Sequence, residues 1–142
     1  MSSPQIVLDT NVFIAGLRSQ YGTAHQLLML IGKDRFEISL SVPLVLEYEE
    51  VAKRLSDELN LSHRAIDDIL DYLCSVAQQQ KVFYLWRPLL SDPKDDMIVE
   101  LAVAAQCDFI VTYNQSQFIE SAQFEFRVIT PQEFLQHIGE LS

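Results

Sequence analysis

Five acidic or amide residues, at four places along the chain, could do chemistry together. Asp9 follows the apolar run Ile6-Val7-Leu8, at the point where a buried strand would leave its sheet. Glu47 falls in the first two turns of a helix that follows a second strand candidate. Asp95 and Asp96 open a helix further on, and Asn114 comes just after Phe109-Ile110-Val111, behind Thr112 and Tyr113. Carboxylate oxygens are the natural ligands of Mg²⁺ or Mn²⁺. Bringing three carboxylates together costs Coulomb repulsion, which a bound cation or a shared proton relieves. One or two such cations can activate a water, neutralise a phosphodiester and hold attacking and leaving oxygens in line. The chain carries no nucleophile-elbow signature, no P-loop and no GxGxxG, so metal-assisted phosphodiester hydrolysis is the reaction class these groups best fit. Each acid also has a plain alternative. Asp9 could be a helix cap, Glu47 a solvated helix residue like Glu49 and Glu50, and Asp95 and Asp96 N-terminal acids that complement the helix dipole.

The elements that must position these groups alternate between strand and helix. Strands are predicted at Ile6–Leu8, Phe36–Ser41, Val82–Trp86, Asp108–Thr112 and Arg127–Ile129. Asp9-Thr10-Asn11 offers caps for a helical segment from Val12 to Leu17. Thr23 is placed to cap a helix over Ala24–Ile31, with Gly32 as its stop. Ser41 or Val42 leads into Pro43 at an early helical position, and Leu44, Val45, Tyr48, Val51 and Leu55 form the apolar stripe of that helix. Ser62 caps a further helix with Ile66, Ile69, Leu70, Leu73 and Val76 on one stripe. Asp92-Pro93 is a turn before a helix from about Asp95 to Gln106, and Gln132–Ile138 is the last helix. Such alternation predicts an α/β fold, a three-layer sandwich with a mostly parallel sheet of four to five strands flanked by helices. Ligands of such sheets gather outside the carboxyl ends of the strands, where all four βα junctions would present their polar residues.

The composition bounds the rest. A chain of 142 residues, 49% hydrophobic and 21% charged, suits a single globular domain over residues 1–142, and no repeat, low-complexity tract or linker interrupts it. Cys74 and Cys107 have no CxxC spacing and read as two buried thiols. His25, His63 and His137 are too scattered to suggest a metal triad. No stretch approaches the roughly 18–20 apolar residues of a membrane span, and no leader is visible, so a cytoplasmic protein with no membrane partner is expected. The net charge of −10 is unusual for a nucleic-acid binder, which normally uses basic residues to displace counterions from phosphates. Bound cations reverse the local field of clustered acids, and a basic partner can supply the missing charge. Arg18, Lys33 and Arg35, or Lys53 and Arg54, are the candidates for steering a polyanion.

In its motifs the sequence resembles the PIN-domain nucleases, especially the branch of toxins from type II toxin–antitoxin pairs. Ile6-Val7-Leu8-Asp9-Thr10-Asn11-Val12 is similar to the family's opening strand and first acid. Ser41-Val42-Pro43-Leu44-Val45-Leu46-Glu47 with Tyr48-Glu49-Glu50-Val51 is similar to its second block. Asp92-Pro93-Lys94-Asp95-Asp96-Met97-Ile98 with Val99-Glu100-Leu101-Ala102 resembles the third, and Asp108-Phe109-Ile110-Val111-Thr112-Tyr113-Asn114 the fourth. The closing Val128-Ile129-Thr130-Pro131 and Gln132-Glu133-Phe134-Leu135 is also similar, so the likeness spans nearly the whole chain in order. The resemblance implies a Mg²⁺- or Mn²⁺-dependent endoribonuclease. Asp9, Glu47 and Asp95 would hold the metal, and Asp96 would assist or replace Asp95. Thr10, Asn11, Thr112 and Asn114 would support the site. It further implies an RNA substrate, an antitoxin protein and a homodimer as partners. Many family members carry aspartate where this chain has Asn114; an amide can ligate through oxygen but brings no charge.

Two rivals bear on the same residues. A PIN-like domain could bind RNA or a protein without cutting, which Asn114 and the acidic surface favour. A receiver-like domain needs paired acids at strand one and a lysine after the last strand, and a haloacid-phosphatase-like domain needs DxD after strand one; Asp9-Thr10-Asn11 matches neither.

Overall fold

The structure is a computed structural model that describes residues 3–81, 93–118 and 124–141. Its elements run β1 (Gln5–Leu8), α1 (Thr10–Arg18), α2 (Thr23–Leu30), β2 (Glu37–Leu40), α3 (Val42–Arg54), α4 (Ser56–Leu59), α5 (His63–Val76), β3 (Gln78–Gln79), α6 (Pro93–Ala104), β4 (Phe109–Val111), β5 (Arg127–Ile129) and α7 (Pro131–His137). The five strands form one sheet in the order β3-β2-β1-β4-β5, and every pairing is parallel. Helices flank it, giving the three-layer α/β sandwich expected from the sequence.

The two central strands are the most apolar. Ile6, Val7, Ile110 and Val111 are fully buried, as strands covered on both faces must be. β5 lies at one edge, with Arg127 exposed. The other edge among the described residues is the two-residue β3, whose Gln78 and Gln79 pair with Ser39 and Leu40. The strand expected at Val82–Trp86 and the turn residue Asp92 lie outside the described residues.

Local chemistry accounts for most helix ends. The Ser41 hydroxyl accepts the Leu44 N–H at 3.3 Å and starts α3, with Pro43 in its first turn. Ser62 accepts the Ala65 N–H at 3.0 Å and starts α5. Thr130 and Glu133 form a reciprocal capping box at α7. The expected cap at Thr23 is displaced by one residue: Gly22 caps α2 with no side-chain bond, and Thr23 is the first helical residue. Gly32 does follow α2, at a φ of 84°. A side chain there would also collide with the Tyr72 hydroxyl, 2.4 Å from where its Cβ would stand. The short α4, absent from the sequence reading, ends at Asn60 in the left-handed region.

The chain starts in the middle of the sheet, at β1. It builds outward through β2 to β3, then crosses to the other side of β1 for β4. β1 and β4 are therefore the pair at which the winding direction reverses, and the crevice outside their carboxyl ends is where this architecture binds ligands.

Candidate functional site

One hydroxyl ties the ends of β1 and β4 together. Asp9 prolongs β1, its N–H donating to the Val111 carbonyl at 3.0 Å, and Thr112 prolongs β4, its N–H donating to the Ile129 carbonyl at 2.9 Å. The Thr112 hydroxyl donates to Asp9 Oδ2 at 2.7 Å and accepts from Asn11 Nδ2 at 3.3 Å and from the Asn114 N–H at 3.0 Å. A hydroxyl has one proton and two lone pairs, so Thr112 is saturated and its proton is committed to Asp9. The other Asp9 oxygen, Oδ1, accepts the Thr10 N–H at 2.7 Å, which makes Asp9 the cap of α1. Asp9 is buried, and both oxygens are oriented by donors fixed to the backbone. Capping does not take Asp9 away from the cleft, because the cap sits where β1 leaves the sheet.

Glu47 lies on the second turn of α3 and accepts the Thr10 hydroxyl. The next residue, Tyr48, is buried, stacks on Phe13 with ring centroids 4.5 Å apart, and donates its hydroxyl to the Leu8 carbonyl. Burial, with the charges of Asp9 and Glu47 beside it, pushes the Tyr48 phenol well above its usual value of 10.0, so it remains a donor at neutral pH.

Asp9, Thr10, Asn11, Glu47, Asp95 and Asn114 line one open cleft of about 260 Å³, together with Val51 and Gln117. Asp96 is only 2% exposed and does not line the cleft, so the two adjacent acids occupy different environments. Thr112 lies fully buried beneath the Asp9 carboxylate that it holds. Two larger depressions lie elsewhere. One, about 760 Å³, surrounds the amino-terminal ends of β4 and β5 at Phe109 and Arg127. The other, about 600 Å³, is an apolar hollow that includes Phe13, Leu28 and Tyr72. Neither includes any of these carboxylates, and the smaller cleft is the one at the reversal of the sheet.

The donors in the cleft are hard oxygens, with no imidazole or thiol among them, and this suits Mg²⁺ or Mn²⁺. Among the described residues no three acidic, histidine or cysteine side chains are gathered closely enough to grip an ion as they stand. Glu47 is carried by α3 and Asp95 by α6, so the two acids reach the cleft from different helices.

Four of the five basic residues considered for steering a polyanion are held in ion pairs. Arg18 pairs with Glu58, Arg35 with Glu140, Lys53 with Glu49 and Asp67, and Arg54 with Glu50. Of the cations expected to steer a polyanion, Lys33 has no such pair among the described residues, and it borders the apolar hollow rather than the cleft. The i,i+4 spacing of Glu49–Lys53 and Glu50–Arg54 is the signal that accounts for two of these pairs. Tyr48, part of the apolar stripe of α3 in sequence, joins the site through its bond to the Leu8 carbonyl.

A family model described as PIN domain matches residues 5–116 of the chain. The chain belongs to the PIN domain family. It is similar in fold to a chain in the crystal structure of VapBC2 from Rickettsia felis bound to a DNA fragment from their promoter. The TM-score is 0.59 at 15% sequence identity, and the match covers 87% of this chain and 96% of that one. No curated protein matches the sequence.

Proposed function

We propose that this chain is a divalent-metal-dependent endoribonuclease, a PIN-like domain acting in the cytoplasm as the toxin of a toxin–antitoxin pair. The observation that carries the reading is that Asp9, Glu47 and Asp95 all line one cleft where the sheet reverses direction. Membership of the PIN domain family supports the reaction class.

Asp9, Glu47 and Asp95 would hold Mg²⁺ or Mn²⁺, with Asp96 next to them in the chain. When bound, such a cation would supply Lewis-acid charge for water activation and for the phosphodiester. The chain's own part is orientation. Thr112 and the Thr10 N–H fix both oxygens of Asp9, and the Thr10 hydroxyl fixes Glu47. Groups of this kind, behind the ligands, set the geometry and basicity of a metal site. Asn114 places an uncharged amide at the rim, which suits fewer cations than a fourth carboxylate would.

A partner is part of the proposal. The fold neighbour VapBC2 is a complex on promoter DNA. An antitoxin with basic character would complement a chain of net charge −10. Val42 and Leu46, exposed one turn apart on α3, offer an apolar landing place for it or for a second copy of the chain.

The test is cleavage of a mixed RNA pool titrated with Mn²⁺. Wild-type protein is expected to cut, and Asp9→Asn, which keeps a capping side chain, to lose all Mn²⁺-dependent cleavage. Undiminished cutting by D9N would refute the assignment. RNA binding without cutting at any metal concentration would favour the binding-module reading.

A further inference from the structure

We propose that Tyr48 is the positioning residue that sets the separation of Asp9 and Glu47, and with it the cleft's affinity for a divalent cation. The inference rests on the nuclease reading above and concerns a residue outside the candidate ligand set. Tyr48 is the chain neighbour of Glu47, and its acceptor, the Leu8 carbonyl, belongs to the chain neighbour of Asp9. One hydrogen bond thus joins the helix carrying one carboxylate to the strand end carrying the other. The residue pairs that register β1 against β2 are Gln5 with Glu37 and Ile6 with Ile38. α3 begins two residues after β2 ends, beside the end of β1.

Side-chain hydrogen bonds join these elements, from Thr10 of α1 to Glu47 and from Tyr48 to Leu8. The Thr10 hydroxyl reaches Glu47 in the part-exposed cleft, where water competes for both groups. The Tyr48 link is buried, with the ring 1% exposed and stacked on Phe13 of α1 at an interplanar angle of 19°. Water competes less there, and losing the donor removes a buried partner of the Leu8 carbonyl. Phe13 holds the ring from α1, the helix that Asp9 caps, so strut and carboxylate share one frame. Two carboxylates that repel each other need such a frame if they are to present a fixed spacing to a cation.

The experiment is calorimetric titration of metal-free protein with Mn²⁺ alone, at 25 °C, for wild type, Tyr48→Phe and Tyr72→Phe. Y48F removes the hydroxyl and keeps the stacked ring. Y72F is the matched control, because Tyr72 also donates to a backbone carbonyl, that of Ile31 at 2.8 Å, but away from the cleft. Y48F is expected to bind Mn²⁺ about tenfold more weakly, and Y72F to bind as wild type does, although both lose a hydrogen bond and melt earlier. Wild-type affinity in Y48F, or equal weakening in both variants, would overturn the strut while leaving the nuclease reading in place. Absence of Mn²⁺ binding by the wild type would remove both.

Discussion

Thr112 holds Asp9 across the two central strands, its hydroxyl 2.7 Å from Oδ2, with Asn11 and the Asn114 N–H filling its remaining lone pairs. The acid that follows β1 is thereby locked to the residue that follows β4. Replacing Thr112 by Val keeps the branched shape but strips one acceptor and two donors of their partner. The expected cost is about 1–3 kcal/mol of stability, together with Mn²⁺ binding weakened about 10–100-fold. Urea unfolding and metal titration of the same preparation separate the two effects. Unchanged stability and affinity would mean that the hydroxyl merely fills space.

Asp95 and Asp96 are adjacent in sequence but differ in surroundings, and their amide variants should differ accordingly. Asp95 lines the cleft, so Asp95→Asn is expected to weaken Mn²⁺ binding more than about tenfold with no fall in thermal stability. Asp96 is buried, so Asp96→Asn is expected to act first on folding, by about 1–3 kcal/mol. A larger loss of metal affinity from D96N than from D95N would transfer the ligand role to Asp96.

Alkaline unfolding should report on Tyr48. Its folded-state pKa is raised above the unfolded value of 10.0, chiefly by burial and then by Asp9 and Glu47. The neutral phenol is therefore favoured by folding. Its contribution is fully present below pH 10 and is lost as pH climbs toward the folded value, because the unfolded chain releases the proton first. Wild type should be more stable than Y48F at neutral pH, with the gap narrowing above pH 10 in equilibrium unfolding. A gap independent of pH would contradict the burial of the hydroxyl.

The two thiols should respond differently to a disulfide reagent. Cys107 is buried, and burial raises its thiol to about 11, beyond what a hydrogen bond with Ser39 offsets. Cys74, expected from sequence to be equally buried, is half-exposed on α5. One thiol per chain should react in the native protein and the second only on unfolding. Cys107→Ala should leave the fast phase intact, and loss of that phase would contradict the burial pattern.

Much of the fold is legible because single-residue chemistry decides it. Continuous apolar runs mark β1 and β4, and Ser41, Ser62 and Thr130 cap α3, α5 and α7. The four residues of α4 are too few to show a helical period, and Gly22 displaces Thr23 as a cap without any side-chain signal. The topology rule brings Asp9, Glu47, Asp95 and Asn114 to one rim, since each follows a strand in its own βα unit. What sequence could not show is the wiring between units. Tyr48 reaching Leu8, Thr112 reaching Asp9 and Arg35 reaching Glu140 are contacts more than thirty positions apart, created only when the layers close. The buried setting of Asp96 beside the cleft-lining Asp95 is likewise a product of how α6 lies on β1, β2 and β4.

The most direct test of the central claim is a crystal of the wild-type protein soaked in Mn²⁺ and measured for anomalous scattering. The expected result is a peak in the cleft, contacted by carboxylate oxygens of Asp9 and Asp95 with Glu47 turned toward it. An empty cleft at saturating Mn²⁺, or a peak bound by other residues with Asp9, Glu47 and Asp95 still apart, would contradict it.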